Sequence, residues 1–322
     1  MKKLEEKENK KERKTDKNIA GKHIPILLEE CVNGLDIKEG DTVVDCTVNR
    51  AGHAKEIVKK LGGSGKLICI DLDAAALKEA KEEIGAVLKN QESKPEIFYV
   101  NDNFSNLENI LSTLSIEKVN KIFADLGISS QEIDISGRGF SFLRDEPLLM
   151  TFKTEENITE NDATAKEIVN TWEEESIANV LYNFADERYS RRIAKGIVEV
   201  RKIKEINTTF ELIEIIKNST PYAYHKLKSH PATRTFQALR MAVNDEVGAV
   251  IKLLNSSLNV LSDDGRMALL TFHSTEDRIV KHTARDIGLK QINKKPLTAN
   301  RDEVLENIRS RSAKLRIYEK SK

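Results

Sequence analysis

The chain has 322 residues, 39 % of them hydrophobic, and its 52 basic and 52 acidic side chains leave no net charge. That length suits one large α/β domain or two ordinary ones, and neutrality argues against wrapping nucleic acid by bulk charge alone. No apolar run reaches the length of a membrane span and the first residues are too charged for a signal peptide, so a cytoplasmic protein with no membrane partner is expected.

Residues 1–22 are rich in Lys and Glu with few apolar groups, which predicts a disordered tail. Thr42-Val-Val-Asp-Cys-Thr-Val48 is a β-branched run between Gly40 and Gly52 and reads as a buried strand. Ala54 to Leu61 reads as a helix stopped by Gly62-Gly63. Lys66 to Asp73 is a second strand, and Ala74 to about Lys89 a second helix. Glu96 to Val100 is a third strand, followed by Phe104 and a short helix near Leu107. Lys121 to Gly127 is a fourth strand. Strands alternating with helices at this spacing imply βαβ units and a doubly wound, mostly parallel sheet.

The alternation then stops. Residues 141–234 hold helical segments at Thr164–Trp172, Glu174–Phe184 and Arg188–Val200 and no clear strand, which predicts an all-helical insert over one end of the sheet. A long helix from Phe236 to about Leu261 leads to a last strand at 266–272, after which Ser274 or Thr275 caps a helix ahead of Glu276 and Asp277. The expected domains are 23–140 with 235–322 around the sheet, and the 141–234 insert. From Lys281 onward, Lys294, Lys295, Arg301, Arg309, Arg311, Lys314 and Arg316 face few acids, as solvated surface or as a phosphate-contacting patch. Cys31, Cys46 and Cys69 sit among apolar neighbours without metal-type spacing, so they are expected as buried thiols in a reducing compartment.

Chemistry begins where Asp45-Cys-Thr-Val-Asn-Arg-Ala-Gly-His53 leaves the first strand, the turn at which a nucleotide-type cofactor binds in such sheets. Nineteen residues after Gly52, Asp71 ends the second strand, where an acid bonds ribose hydroxyls; by itself an Asp there is equally a turn former. Asp125-Leu-Gly-Ile-Ser-Ser130 adds a carboxylate, a flexible glycine and two hydroxyls at the same edge. Arg138-Gly-Phe-Ser-Phe-Leu-Arg144 mixes arginines and aromatics in a loop, suited either to stacking on bases or to packing under the loop.

Several strings together carry a resemblance: His23-Ile-Pro-Ile-Leu-Leu-Glu-Glu30, the Asp125 run, Arg138 to Phe142, His230-Pro-Ala-Thr-Arg-Thr-Phe-Gln-Ala-Leu-Arg240 with Asn244-Asp-Glu246, Phe272-His-Ser-Thr-Glu-Asp-Arg-Ile-Val-Lys281, and Asn307 to Arg316. Over roughly residues 22–318 the chain resembles the MraW/RsmH family, S-adenosylmethionine-dependent methyltransferases of small-subunit ribosomal RNA that act on a cytidine N4. The resemblance implies a class I methyltransferase (Rossmann-like) sheet with a helical insert that helps to hold RNA. It implies that Ala51, Gly52 and His53 meet S-adenosyl-L-methionine at the first turn, with Asp71 on the ribose and Phe104 beside the adenine. Asp125 and Glu132 would complete the pocket. RNA contacts are expected from Arg138, Phe140, Arg144, Arg234, Arg240 and Arg278. Asp125 is expected to accept from the target amine or to orient the cofactor, and His273 and Ser274 to contact the target base or a phosphate. His53 is open to two readings, a base or a packing and capping residue. No spacing calls for a metal, and the oligomeric state, a homodimer among the options, is left open.

The chain departs from the family pattern in one expected pocket. Asn49 and Ala51 stand where the family's first turn has glycines. Asn49 tolerates the bend, whereas the Ala51 methyl is expected to crowd a ligand against the backbone. Glu132 replaces a glutamine near a cationic sulfonium, and Leu149 and Thr151 replace a carboxylate and an arginine. Two readings therefore stand: an active methyltransferase, and a non-catalytic relative that keeps the fold and an RNA-binding surface. A dehydrogenase is excluded because the first turn lacks a dinucleotide glycine pattern.

Overall fold

The computed structural model describes residues 24–127, 136–153, 158 and 162–321. After helix α1 (Leu28–Leu35), β1 (Thr42–Asp45), α2 (Gly52–Leu61), β2 (Lys66–Asp71), α3 (Ala74–Leu88), β3 (Glu96–Asn101), α4 (Leu107–Thr113) and β4 (Val119–Asp125) alternate in the expected rhythm. Strands β5 (Leu261–Thr271), β6 (Lys290–Gln291) and β7 (Lys314–Glu319) complete a seven-stranded sheet in the order β3-β2-β1-β4-β5-β7-β6. The first five strands are parallel, and β7 runs antiparallel to β5 and β6. Strands buried on both faces must be apolar on both. Val43 and Leu67 therefore join the core under α1–α3, while the next residues, Val44 and Ile68, join the core on the opposite face.

Strand β7 was not expected. Its alternation of charged and apolar residues hides in the basic C-terminal stretch, and two cations assigned to a surface patch are tied down there. Arg316, 5 % exposed, forks onto Asp277 at 2.7 and 3.2 Å, and Lys314 Nζ lies 3.1 Å from the same carboxylate. The three cysteines are buried and free, as expected. Residues 1–22, Ser129, Ser130 and Glu132 lie outside the described residues.

Between β4 and β5 come α5 (Ala165–Thr171), α6 (Glu174–Ala185), α7 (Ser190–Arg201), α8 (Thr209–Ser219), α9 (Tyr222–His225), α10 (Thr233–Val243) and α11 (Glu246–Val260). Helices α5–α8 and α10 enclose a second apolar core, with Ile168, Leu181, Ile197, Ile216, Phe236 and Leu239 all buried. Helix α10 thus packs with the insert, although the sequence groups it with the sheet. The single helix expected from Phe236 to Leu261 is broken at Asn244-Asp245. Asp245 turns left-handed at φ 45°, and its carboxylate accepts from Gly248 N at 3.2 Å. Asn and Asp side chains offer the backbone partners outside the helix ladder, which is why a break occurs here. Asn244 accepts from Phe152 N at 2.8 Å and donates to Met150 O at 2.8 Å, fastening the loop after β4 to the break.

Candidate functional site

Parallel pairing places Asp45 opposite Phe123, Asp71 opposite Asn101 and Asp125 opposite Leu270, so the strand ends bearing the three aspartates share one edge. A cavity of about 120 Å³, open to solvent, lies along it. Cys46, Thr47 and Asn49 of the first turn form one wall. Asp71, Leu72, Asp102, Asn103 and Phe104 form the next, and Asp125, Leu126 and Gly127 the floor. The far wall comes from the helix break and from α12 (Ser274–Asp286), through Asn244, Glu246, Glu276 and Ile279.

The first turn bends through two non-glycine residues at positive φ, Asn49 (45°) and Ala51 (58°). Ala51 is fully buried and belongs to the core under α1–α3. Its methyl faces the protein interior and does not line the cavity, which corrects the expectation that it crowds a ligand. Gly52 opens α2 behind it. His53 is buried, its ring 4.5 Å from Phe123 and its Nε2 3.0 Å from Ile26 O. Since a carbonyl only accepts, Nε2 carries the proton, and the histidine packs and ties α2 to the segment before α1. None of Ala51, Gly52 and His53 lines the cavity, whereas Thr47 and Asn49 do.

Carboxylates dominate the lining. Asp71 accepts from Asn49 N at 2.8 Å and Asp73 N at 2.9 Å, which holds the first turn against the end of β2. Burial pushes its pKa up, against these N–H groups. Asp125 accepts from Gly127 N at 3.1 Å, and its own N–H donates to Thr47 Oγ1 at 2.7 Å. Burial, with repulsion from Glu276, raises its pKa to about 7 although the Gly127 N–H opposes this. A Cβ on Gly127 would sit 2.6 Å from the Phe272 ring, so only glycine allows this close approach. Beneath the turn Asp45 is 1 % exposed, with one oxygen on Thr47 N and the other without a partner. Burial, then repulsion from Asp125 and Asp71, raises its pKa to about 8.

The start of α12 differs from the expected cap. His273, not Ser274 or Thr275, is the N-cap: its Nδ1 accepts from Glu276 N at 3.3 Å while the Glu276 carboxylate accepts from Phe272 N at 2.8 Å. His273 Nε2 also lies 2.6 Å from Glu276 Oε1, off the line of a hydrogen bond. His273 is therefore engaged by the helix start, and Ser274 faces Asp186 at 3.4 Å. Neither lines the cavity; Glu276 does. Behind it Arg240 forks onto Glu246 at 2.7 and 2.8 Å and stands 3.8 Å from Glu276. Burial raises the Glu246 pKa against the Arg240 charge, with Glu276 adding to the rise. The sequence named Asp71, Phe104 and Asp125 as lining but missed Asn244, Glu246 and Glu276. For Asn244 and Glu246 the signal was the Asn-Asp-Glu string within an apparent helix, and for Glu276 its place in the polar string after β5.

The residues assigned to RNA are not gathered on one surface. Arg240 is turned inward by Glu246, and Phe140, 8 % exposed, is stacked on Phe152. Arg138 donates to the carbonyls of Thr151, Phe152 and Lys153 at 2.8–3.0 Å and so braces its own loop. Arg144 is exposed, its carbonyl held by Thr209 Oγ1 at 2.6 Å. Arg234 and Arg278 are exposed and meet at Asp186, on its carbonyl (2.5 Å) and carboxylate (3.3 Å) respectively. Leu149 does not line the cavity; Thr151 is buried and borders an adjoining one. Among the described residues no helix is long and apolar enough to cross a membrane, and no cluster of His, Cys, Asp and Glu is placed to hold a metal.

The lining fits the methyl donor. Asp71 is an acceptor in the lining for a diol, Phe104 offers a ring, and the carboxylates of Asp71, Asp102, Asp125, Glu246 and Glu276, with no Lys or Arg among the described residues of the lining, suit a cationic sulfonium and ammonium. The sequence profile of the MraW methylase family matches residues 20–321. A ribosomal RNA small subunit methyltransferase H of Clostridium botulinum strain Kyoto is 43 % identical over 93 % of this chain and 99 % of its own. One of Finegoldia magna is 40 % identical over 93 % and 98 %. Among solved structures an rRNA methylase from Streptococcus thermophilus superposes with a TM-score of 0.40 at 11 % identity, over 94 % of this chain and 100 % of that one. The chain, matched along nearly its whole length and built on this sheet, belongs to the MraW methylase family, whose methyl donor is S-adenosylmethionine.

Proposed function

We propose that this protein transfers a methyl group from S-adenosylmethionine to the N4 amine of a cytidine in small-subunit ribosomal RNA. The observation that carries the reading is the acid-lined cavity at the strand ends, where Asp71, Asp125, Glu246 and Glu276 converge. The names of the relatives support an RNA substrate. The far wall supports an amine, since carboxylates accept hydrogen bonds from N–H groups and offer a ring carbon nothing.

Asp71 and Phe104 would hold the nucleoside end of the donor, with Asp102 and Asn103 at the base edge, and Thr47, Asn49 and Asp125 the amino-acid end. When bound, S-adenosylmethionine supplies an electrophilic methyl carbon whose bond to sulfur breaks with both electrons going to sulfur. Asp125, at the junction of both walls, accepts an N–H of the target amine. That hydrogen bond localises a lone pair otherwise spread into the cytosine ring, and the carboxylate or water beyond it takes the proton once the carbon–nitrogen bond has formed. With a pKa near 7, Asp125 is close to the acidity at which a group both holds and releases a proton. His273 keeps a positioning part, through Glu276.

The alternative of a non-catalytic relative rests on departures at Asn49, Ala51, Leu149, Thr151 and Glu132. Ala51, Leu149 and Thr151 do not line the cavity, Asn49 lines it but keeps the turn through its N–H on Asp71, and Glu132 falls outside the described residues, which favours the active reading. The test is calorimetric titration of S-adenosylmethionine into wild type and Asp71→Ala, then methylation of unmodified small-subunit RNA with nucleoside analysis. We expect binding that the substitution abolishes, and N4-methylcytidine as the product. Label on another nucleoside would refute the specificity, and donor binding without transfer to any small-subunit RNA would refute the enzyme reading.

A further inference from the structure

Exposed cations of the helical insert gather beside two of the arginines named by sequence, Arg234 and Arg278, which meet at Asp186. Arg188, Arg191 and Arg192 are exposed at the junction of α6 and α7. From Lys217 to Arg234 the chain carries Lys217, Lys226, Lys228 and Arg234 and not one Asp or Glu. Packing brings these stretches together. The Tyr189 and Tyr224 rings meet edge to face at 5.0 Å, and the Arg188 guanidinium lies over both, 4.9 and 5.2 Å from their centres. Lys226 Nζ lies 4.7 Å over the ring of Tyr222, which is 72 % exposed.

The acids beside these cations are engaged elsewhere. Glu187 is fully buried and accepts from Tyr224 Oη at 2.5 Å and Tyr189 N at 2.9 Å. The Asp186 carboxylate faces Ser274 and Arg278. Among the described residues Arg188, Arg191, Arg192, Lys226 and Lys228 have no carboxylate within ion-pair distance, unlike Lys314 and Arg316 of the C-terminal cluster. Asp186 links the face to the helix of the cavity wall: it pairs with Arg278, which shares α12 with Glu276 and Ile279.

Unpaired cations beside an exposed ring are what a strand of RNA requires, phosphates meeting the charges and a base lying on the ring. An acidic peptide would use the charges and leave Tyr222 idle. We infer that this face of the insert, formed by Arg188, Arg191, Arg192, Lys226, Lys228 and Tyr222, is a docking surface for an RNA strand outside the cavity. It rests on the RNA reading above and assigns the contact to residues that reading did not use.

The full-length protein and the variants Arg191→Glu/Arg192→Glu and Lys226→Glu/Lys228→Glu are titrated with unmethylated in vitro transcribed small-subunit RNA. Anisotropy is read from about 50 to about 300 mM salt, and we expect about tenfold or greater weakening. The log–log salt slope should become shallower by about 0.7–0.9 for each phosphate that is no longer neutralised. S-adenosylmethionine affinity, measured on each protein by calorimetry, should not change. If a charge reversal misfolds, Arg191→Ala/Arg192→Ala and Lys226→Ala/Lys228→Ala should show the same shallower slope with a smaller loss of affinity. Variants that bind the donor normally and keep wild-type RNA affinity and slope overturn the surface and leave the RNA reading intact. Wild type that binds the donor but no RNA overturns both, and preference for polyglutamate over RNA reassigns the face to an acidic protein.

Discussion

Ala51 offers a sharp test of the altered first turn. Its left-handed conformation costs an L-residue about 1–2 kcal/mol, which Ala51→Gly would recover. The same change removes a fully buried methyl, worth about 0.8 kcal/mol, and loosens the unfolded chain by a further ~0.4–1 kcal/mol. The terms nearly cancel, so stability should move by less than about 1 kcal/mol in either direction. Because the methyl packs under α1–α3 and not against the cavity, donor affinity should stay the same as well. Urea unfolding and calorimetric titration of S-adenosylmethionine read the two quantities separately. Ala51→Val is the contrast: a β-branched residue at positive φ in a filled core should cost about 3 kcal/mol or more. The reasoning fails if Ala51→Gly tightens donor binding about tenfold, a gain of ~1.4 kcal/mol, for that would mean the methyl reaches the ligand after all.

Further outcomes follow from the carboxylates and the helix break. A bound cation favours ionised Asp125, whose pKa in the free protein is about 7, so donor affinity should rise with pH through that value and level off above it. Asp125→Asn should bind more weakly with a flat profile; a wild-type profile that is itself flat between pH 6 and 8 contradicts the assignment. Asp45 has a folded pKa of about 8, above its ordinary 3.8, so its neutral form is favoured by folding and it costs stability progressively as pH rises from about 4 to about 8. The melting temperature of Asp45→Asn should therefore gain on wild type between pH 5 and pH 9, and an unchanging difference would show that Asp45 does not titrate in this range. Arg240→Met strands Glu246 in the wall and should cost about 3 kcal/mol, while Arg240→Met/Glu246→Leu should recover most of it. Equal losses for the single and double variants, by urea unfolding, would show that the fork does not hold the break together.

The sheet was legible because buried parallel strands announce themselves. Runs such as Val43-Val44 and Leu67 to Ile70 must be apolar on both faces, and the glycines and helices between them fixed the order of the first four. Strand β7 was not, since Lys314, Arg316 and Glu319 alternate with apolar residues in a stretch that reads as charged surface until Asp277 is seen to neutralise it. Asp71 and Asp125 were legible because a strand end fixes where a side chain points. His53, His273, Arg138, Arg240 and Phe140 were less legible for the opposite reason: residue type suggested chemistry or left two readings open at His53 and Phe140, while their partners, set by tertiary packing, use them for capping, bracing and core.

The same contrast explains how this chain departs from its family's glycine-rich turn without losing the cavity. A glycine at such a turn serves either the bend or the approach of a ligand, and the two needs place different demands on a replacement. At Asn49 and Ala51 the need is the bend, because Asp71 and Thr47 hold the turn by backbone and side-chain hydrogen bonds and the Ala51 Cβ enters the core. At Gly127 the need is the approach, because the Phe272 ring occupies the space a side chain would take. Gly127→Ala should accordingly displace the Asp125 floor and weaken donor binding by more than Ala51→Gly changes it. The two variants titrated side by side test that distinction, and equal effects would show that the turn and the floor answer to the same constraint.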